Sequence, residues 1–170
     1  MKKAVIYILL TLAVTGFSLQ GNAQSSKSIT LHPDTYFSLT NEMISMARKY
    51  IGTPYVYGGK TAKGFDCSGF MYFLFKEFGY TISPSSRELY TFGEKVDKGC
   101  VQIGDFAFFK GRKSSTIGHV ALVIGVNGDQ FDIIHATNGK GITIDHNFMS
   151  LSYYKSRFLS FRRPFDFCWD

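Results

Sequence analysis

The sequence predicts an α+β domain in which a buried helix is laid on an antiparallel sheet. Three observations predict it. Helical spacing of apolar residues is confined to the first half, strand-like apolar runs fill the second, and Asn127-Gly128 separates two of those runs as a hairpin turn. Helices first and antiparallel strands after imply a meander of about five or six strands with the helix packed on it. The chain has 170 residues, 45% hydrophobic with seventeen Phe, enough to fill the core of one such domain.

Residues 1–23 read as a secretory signal peptide. Lys2-Lys3 form the basic start, Ala4 to Phe17 the apolar stretch, and Gly21 and Ala23 the small residues before a cleavage point. The stretch is short for a membrane span. No cysteine precedes Cys67, so none near the cleavage point can carry a lipid. The expectation is an exported protein, periplasmic or secreted, soluble after signal cleavage, without a stable membrane anchor, and monomeric. Residues 24–40 form a polar lead-in and residues 41–170 the functional domain.

Within that domain, Met43, Ile44, Met46 and Ala47 mark a helix over Asn41 to Tyr50, capped by Thr40 or Asn41 and ended at Gly52-Thr53-Pro54. A turn-rich loop runs from Pro54 to Gly64. Cys67 to Phe78 is apolar on nearly every side, as a central buried helix is, with Asp66 as N-cap and Gly79 as C-terminal cap. Ser86 to Phe92 suits a short helix. Strands are expected at Asp105 to Phe109, Val120 to Val126, Phe131 to Thr137, Gly141 to Ile144 and Phe158 to Arg162.

Nineteen Lys and Arg against thirteen Asp and Glu give a formal charge of +6, or +4 without Lys2 and Lys3. A basic exported protein favours anionic partners such as cell-wall polymer. The basic runs are short and scattered, which argues against nucleic acid. Three cysteines, Cys67, Cys100 and Cys168, leave one thiol unpaired in an oxidising compartment. A Cys100–Cys168 disulfide would leave Cys67 free; two buried free thiols are the alternative.

Cys67 falls in the first turn of the buried helix, where free N–H groups and the helix dipole favour thiolate over thiol. A thiolate nucleophile needs a base that later protonates the leaving amine, and that base needs an orienting partner. Four histidines are available: His32, His119, His135 and His146. His119 opens one strand and His135 lies near the end of the next; His32 and His146 are expected at the surface. A strict two-residue turn at Asn127-Gly128 would put His119 and His135 on opposite sides of the sheet. A shared site therefore demands an odd loop or a β-bulge.

Taken in order, "IGTPYVYGG", "GFDCSGF", "IGDFAFF", "GHVALVIG" and "IIHAT" resemble the NlpC/P60 family of papain-like cell-wall cysteine peptidases, over about Ile44 to Phe161. The resemblance implies a papain-like NlpC/P60 catalytic domain and hydrolysis of peptidoglycan stem peptides, at the γ-D-glutamyl–diaminopimelate bond or at D-alanyl–diaminopimelate crosslinks. It implies no cofactor and no metal. By the same resemblance Cys67 is the nucleophile, His119 the base and acid, and His135 the orienting residue. Tyr55 lies near the oxyanion site, and Asp66 and Ser68 hold the substrate's amino terminus. Tyr57 replaces the usual Trp, and Ile103 the usual Pro. Where the family often has Arg before a Thr-Ser pair, this chain reads Ser83-Pro84-Ser85-Ser86-Arg87, leaving Arg87 as the shifted candidate for binding a carboxylate. An amidase cutting between sugar and stem, or an idle wall-binding module, are the alternatives; Cys67, His119 and His135 together argue against the second.

Overall fold

A computed structural model describes residues 29–112 and 115–167; the expected signal segment and Cys168 lie outside them. Among these residues the chain runs β1 (Ile29–Leu31), α1 (Pro33–Lys49), β2 (Lys60–Thr61), β3 (Gly64–Phe65), α2 (Cys67–Glu77), α3 (Ser86–Leu89), β4 (Glu94–Val96), β5 (Phe106–Lys110) and β6 (Ile117–Asn127). It continues with β7 (Gln130–Thr137), β8 (Gly141–Asp145), α4 (Ser152–Lys155), β9 (Phe158–Arg163) and β10 (Phe165–Phe167). The α+β class holds. Six strands form one antiparallel sheet in the order β4-β9-β5-β6-β7-β8. Strands β5 to β8 are the expected meander; β9 crosses back beside β5, and β4 covers it. Glu94-Lys95-Val96 is too short, with one buried side chain, to have shown a period.

The sheet is a middle layer, because its apolar runs bury both faces. Phe106 and Phe108 of β5, with Val120 and Leu122 of β6, face Phe70, Met71, Leu74 and Phe75 of α2, behind which lie Met43 and Ala47 of α1. The alternating residues Ala107, Phe109, Ala121 and Val123 face the other way, towards Phe148 and Tyr154. Phe75 stacks on Phe165 with ring centroids 4.8 Å apart, joining α2 to the last strand.

Helix α1 starts about two turns before the expected cap. Pro33 takes its first turn, where a preset φ helps and a missing N–H costs nothing. Thr40 is no cap: it lies mid-helix in the buried stripe Tyr36, Thr40, Met43, Ala47, and its polarity broke the apparent spacing. Helix α2 is as read. Asp66 accepts the Gly69 N–H at 2.6 Å, and at the far end Gly79, with φ +83°, lets Tyr80 N–H reach the Phe75 carbonyl at 2.9 Å. Short helix α3 ends at Leu89 rather than Phe92, and turns carry the chain on.

The β6–β7 hairpin differs in detail from the expected turn. Asn127 pairs with Gln130, so the two-residue turn is Gly128-Asp129. Further along, Val123 faces Ile133 while Gly125 faces Asp132, so Ile124 is an extra residue. This is the bulge that the two histidines required. Among the described residues, no helix is long and apolar enough to cross a membrane.

Candidate active site

A cleft of about 380 Å³ opens where the start of α2 meets strands β6 and β7, and Tyr55, Cys67 and His119 line it. The loop before α2 is folded onto the helix by backbone contacts. Val56 N–H donates to the Phe65 carbonyl at 3.0 Å, Phe65 N–H to Pro54 at 3.1 Å, and Asp66 N–H to Gly59 at 3.0 Å. Gly69, in the first turn of α2, lies against that same Gly59 carbonyl, which a Cβ would overlap. The glycines of "YGG" and "CSG" thus admit the close approach that sets Tyr55 beside Cys67.

Cys67 is buried, 7% exposed, and its sulfur receives backbone N–H bonds from Val120, Ser68 and its own residue. Two of these are the free donors of the helix start. They do not decide the protonation state. Burial pushes the thiol up to about 11, the nearby Asp66 carboxylate pushes the same way, and the N–H groups offset only part of this. The expected thiolate is therefore corrected to a thiol at rest. The phenol of Tyr55 is also raised, by burial first and then by Cys67, so it remains a donor at neutral pH.

Behind Cys67 stands a line of side chains from three successive strands. His119 Nε2 is 2.7 Å from His135 Nδ1, and His135 Nε2 is 2.9 Å from Asp145 Oδ2. The bulge at Ile124 makes this possible, since it puts His119 and His135 on one side of the sheet. His135 is fully buried. Asp145 is held down to about 2, chiefly by the hydrogen bond from His135, so it is a carboxylate and can only accept. His135 must then carry its proton on Nε2, which leaves Nδ1 to accept from His119 Nε2–H. The free basic nitrogen of His119 becomes Nδ1. Burial, and then the neighbouring His135, hold His119 well below the ordinary imidazole range, while Asp145 acts the other way. Tyr154 encloses the end of the line. Its hydroxyl is 3.4 Å from His135 Nε2 and donates to Asp145, and burial followed by that bond keeps it protonated.

Asp145 and Tyr154 were not singled out in the sequence. Asp145 becomes visible only with the register: Ile133 pairs with Asp145 and His135 with Thr143, so period two along β8 puts Asp145 on the His135 side. Tyr154 had no sequence signal, lying in one turn of helix nine residues beyond Asp145.

The remaining candidates lie elsewhere. Asp66 accepts from Gly69 N–H, from Ser68 Oγ at 3.2 Å and, through its other oxygen, from Gly58 N–H at 2.8 Å. Ser68 is buried and Arg87 is exposed on α3; none of the three lines the cleft. His32 and His146 are exposed, as expected. Cys100 is an exposed thiol, not a buried one, and its pairing with Cys168 lies outside the described residues. No group of three or more His, Cys, Asp and Glu among the described residues is arranged to hold a metal ion.

A six-stranded sheet with a cysteine at the start of the helix packed on it, sharing a cleft with a strand histidine that a second strand histidine backs, defines a class of fold, and comparison with known proteins places the chain within it. The NlpC/P60 family model matches residues 52–163, and the chain belongs to that family. It is 38% identical over 119 residues to the probable endopeptidase NlpC homolog of Haemophilus influenzae, covering 68% of this chain and 60% of that protein. It is 32% identical over 147 residues to the murein DD-endopeptidase MepS/murein LD-carboxypeptidase of Escherichia coli, covering 86% and 72% respectively. Among solved structures, an NlpC/P60 family protein from Bacillus cereus superposes with a TM-score of 0.65 at 30% identity, over 73% of this chain and 39% of that one. The chain thus spans between about two fifths and three quarters of these relatives.

Proposed function

We propose that this protein is an exported peptidoglycan endopeptidase that hydrolyses stem peptides through Cys67. The observation that carries the reading is the line His119–His135–Asp145, bonded at 2.7 and 2.9 Å behind a cleft that Cys67 shares. Relatives named as endopeptidases, one of them a murein DD-endopeptidase, support peptidoglycan as the substrate.

The resting pair is a thiol and a neutral imidazole. As a stem peptide enters, His119 Nδ1 takes the Cys67 proton while the sulfur attacks the amide carbonyl. The carbonyl π electrons move to oxygen, where the Tyr55 hydroxyl and the Cys67 N–H can stabilise the charge. The C–N bond then breaks, and the imidazolium returns its proton to the leaving amine. Water, deprotonated by His119, releases the acyl group from the thioester and restores the thiol. Throughout, His135 and Asp145 hold the imidazole in the tautomer that keeps Nδ1 free, and they stabilise its charged form. Asp66 and Ser68, the residues on either side of Cys67 in the chain, are assigned to the acyl-side ammonium, and Arg87 to a more distant carboxylate.

The test uses three purified substrates: a γ-D-glutamyl–diaminopimelate stem, a D-alanyl–diaminopimelate crosslinked dimer, and a stem still joined to its sugar. Release of diaminopimelate-bearing fragments from either of the first two supports the endopeptidase reading. Release of intact stems from sugar alone would replace it with the amidase reading.

A further inference from the structure

The cleft wall beside His119 is cationic. Lys110, the last residue of β5, Arg112 in the turn that follows, and Arg157 just before β9 all line it, and no acidic residue does. Among the described residues none of the three forms an ion pair with a carboxylate. The wall is braced. Arg157 Nη1 donates to the Gly111 carbonyl at 2.6 Å and Nη2 to the Arg112 carbonyl at 3.1 Å. The Arg157 guanidinium also lies 4.8 Å from the Tyr153 ring centroid, and Lys110 N–H donates to the Arg157 carbonyl at 2.8 Å. Gly118 and Gly111 touch back to back, since a Cβ on Gly118 would stand 2.5 Å from Gly111 Cα. That contact presses the cationic turn onto the residue next to His119. Three like charges gathered on one wall repel one another unless an anion joins them.

We infer that this wall is a subsite for a free carboxylate on the amine component of the substrate, the part that leaves. The direction follows from the chemistry. The scissile nitrogen must come within hydrogen-bond reach of the imidazole that protonates it, so the leaving group extends over the strand that carries His119. Lys110 and Arg112 belong to the turn that feeds this strand, whereas Asp66 sits on the opposite, helix side. Asp66, which does not line the cleft, stands at the start of α2 beside the nucleophile, and the cationic wall lies on the strand side. An amino-acid leaving group has carboxylates to offer in two places, next to the scissile nitrogen or at its far end, and both fit the same cations. The inference rests on the roles given above to Cys67 and His119.

The experiment compares stem peptides whose leaving residue carries free carboxylates with peptides in which the carboxylate next to the scissile nitrogen, or the far one, is a carboxamide. For the wild type we expect at least about a tenfold higher kcat/KM for the acid than for one of the two amides, as charge-assisted hydrogen bonds warrant; the amide that suffers identifies the source. In a Lys110→Ala/Arg112→Ala double variant this ratio should collapse towards one. Arg157 is left intact there because it braces the turn. Equal rates on all three peptides, or an unchanged ratio in the double variant, would overturn the subsite. Calorimetric binding to the Cys67→Ala protein repeats the comparison without turnover. Acid-selective binding lost in the double variant supports the subsite even if the wild type cleaves nothing, in which case only the hydrolase reading falls. Equal binding of acid and amides overturns the subsite even if cleavage is rapid.

Discussion

Tyr55 and Cys67 come from one stretch of chain, folded onto itself by three short backbone hydrogen bonds and by glycines that admit no side chain. His119, His135 and Asp145 come from β6, β7 and β8, and only the register of the sheet brings them together, while Tyr154 reaches them from α4. The two arms fail differently for this reason. The nucleophile arm is specified locally, so a change there acts on the residue changed. The base arm is a chain of orientations, so a change at its far end is felt at the reacting nitrogen through two intervening bonds.

The largest effect expected is at the junction. Cys67→Ala and His119→Ala should each abolish stem-peptide cleavage to within the assay background while leaving the circular dichroism spectrum and wall binding intact. A variant retaining more than about one part in a hundred of the rate would remove that residue from the chemistry. In the nucleophile arm, Tyr55→Phe should lower kcat by roughly a hundredfold with little change in KM, the usual cost of removing one oxyanion donor. A change confined to KM would make Tyr55 a binding residue instead.

At the far end of the base arm, Asp145→Asn should lower kcat by roughly ten- to a hundredfold, because the amide can donate and so permits the wrong tautomer of His135. Asp145→Glu should recover part of the loss. Nitrogen-15 NMR of the histidine side chains distinguishes orientation from packing: wild-type His119 and His135 should both carry hydrogen on Nε2 at neutral pH, and the asparagine variant should show a mixture.

A smaller, pH-dependent contrast follows from the two reacting groups. With the Cys67 thiol near 11 and His119 below the usual imidazole range, the fall of kcat/KM on the acid side should set in only below pH 6.5, where His119 takes up a proton. Alkylation of Cys67 by iodoacetamide should keep rising with pH above 8. An alkylation rate already flat between pH 5 and 8 would mean a preformed thiolate–imidazolium pair. The smallest effect is on stability. Asp145 has its carboxyl depressed to about 2 against an ordinary 3.8. Its contribution is therefore complete above the unfolded value and is lost as pH falls from about 4 towards 2. That loss, on the order of 1 kcal/mol after screening, should be missing from acid unfolding of Asp145→Asn.

How far the site could be read in the sequence follows the same division. The nucleophile arm was legible because its signals are contiguous: a cap, a cysteine and an all-apolar helix, with glycines at short spacing before it. The histidines were legible as residue types, but their shared side was not. Ile124 decides it, and nothing about an isoleucine in an apolar run marks it as an extra residue. The same run of apolar residues hid the second buried face of the sheet, since a strand covered on both sides loses its alternation. Thr40 hid two turns of α1 by placing a hydroxyl in the buried stripe. Asp145 needed the register of β8, and Tyr154 and Arg157 needed the path of the chain after it. Arg87 does not line the cleft; the cations that do come from the end of β5, from the turn after it and from the stretch before β9, none of which a local motif marks.

The claim on which the rest depends is that Cys67 turns the histidine line into peptide hydrolysis. Its most direct measurement is the digestion of purified peptidoglycan by the wild-type protein and by Cys67→Ala in parallel, with released fragments weighed by mass spectrometry. The account predicts stem-peptide fragments with new amino and carboxyl ends from the wild type and none from the variant, with both proteins bound to the wall alike. Equal release by the two proteins would contradict it.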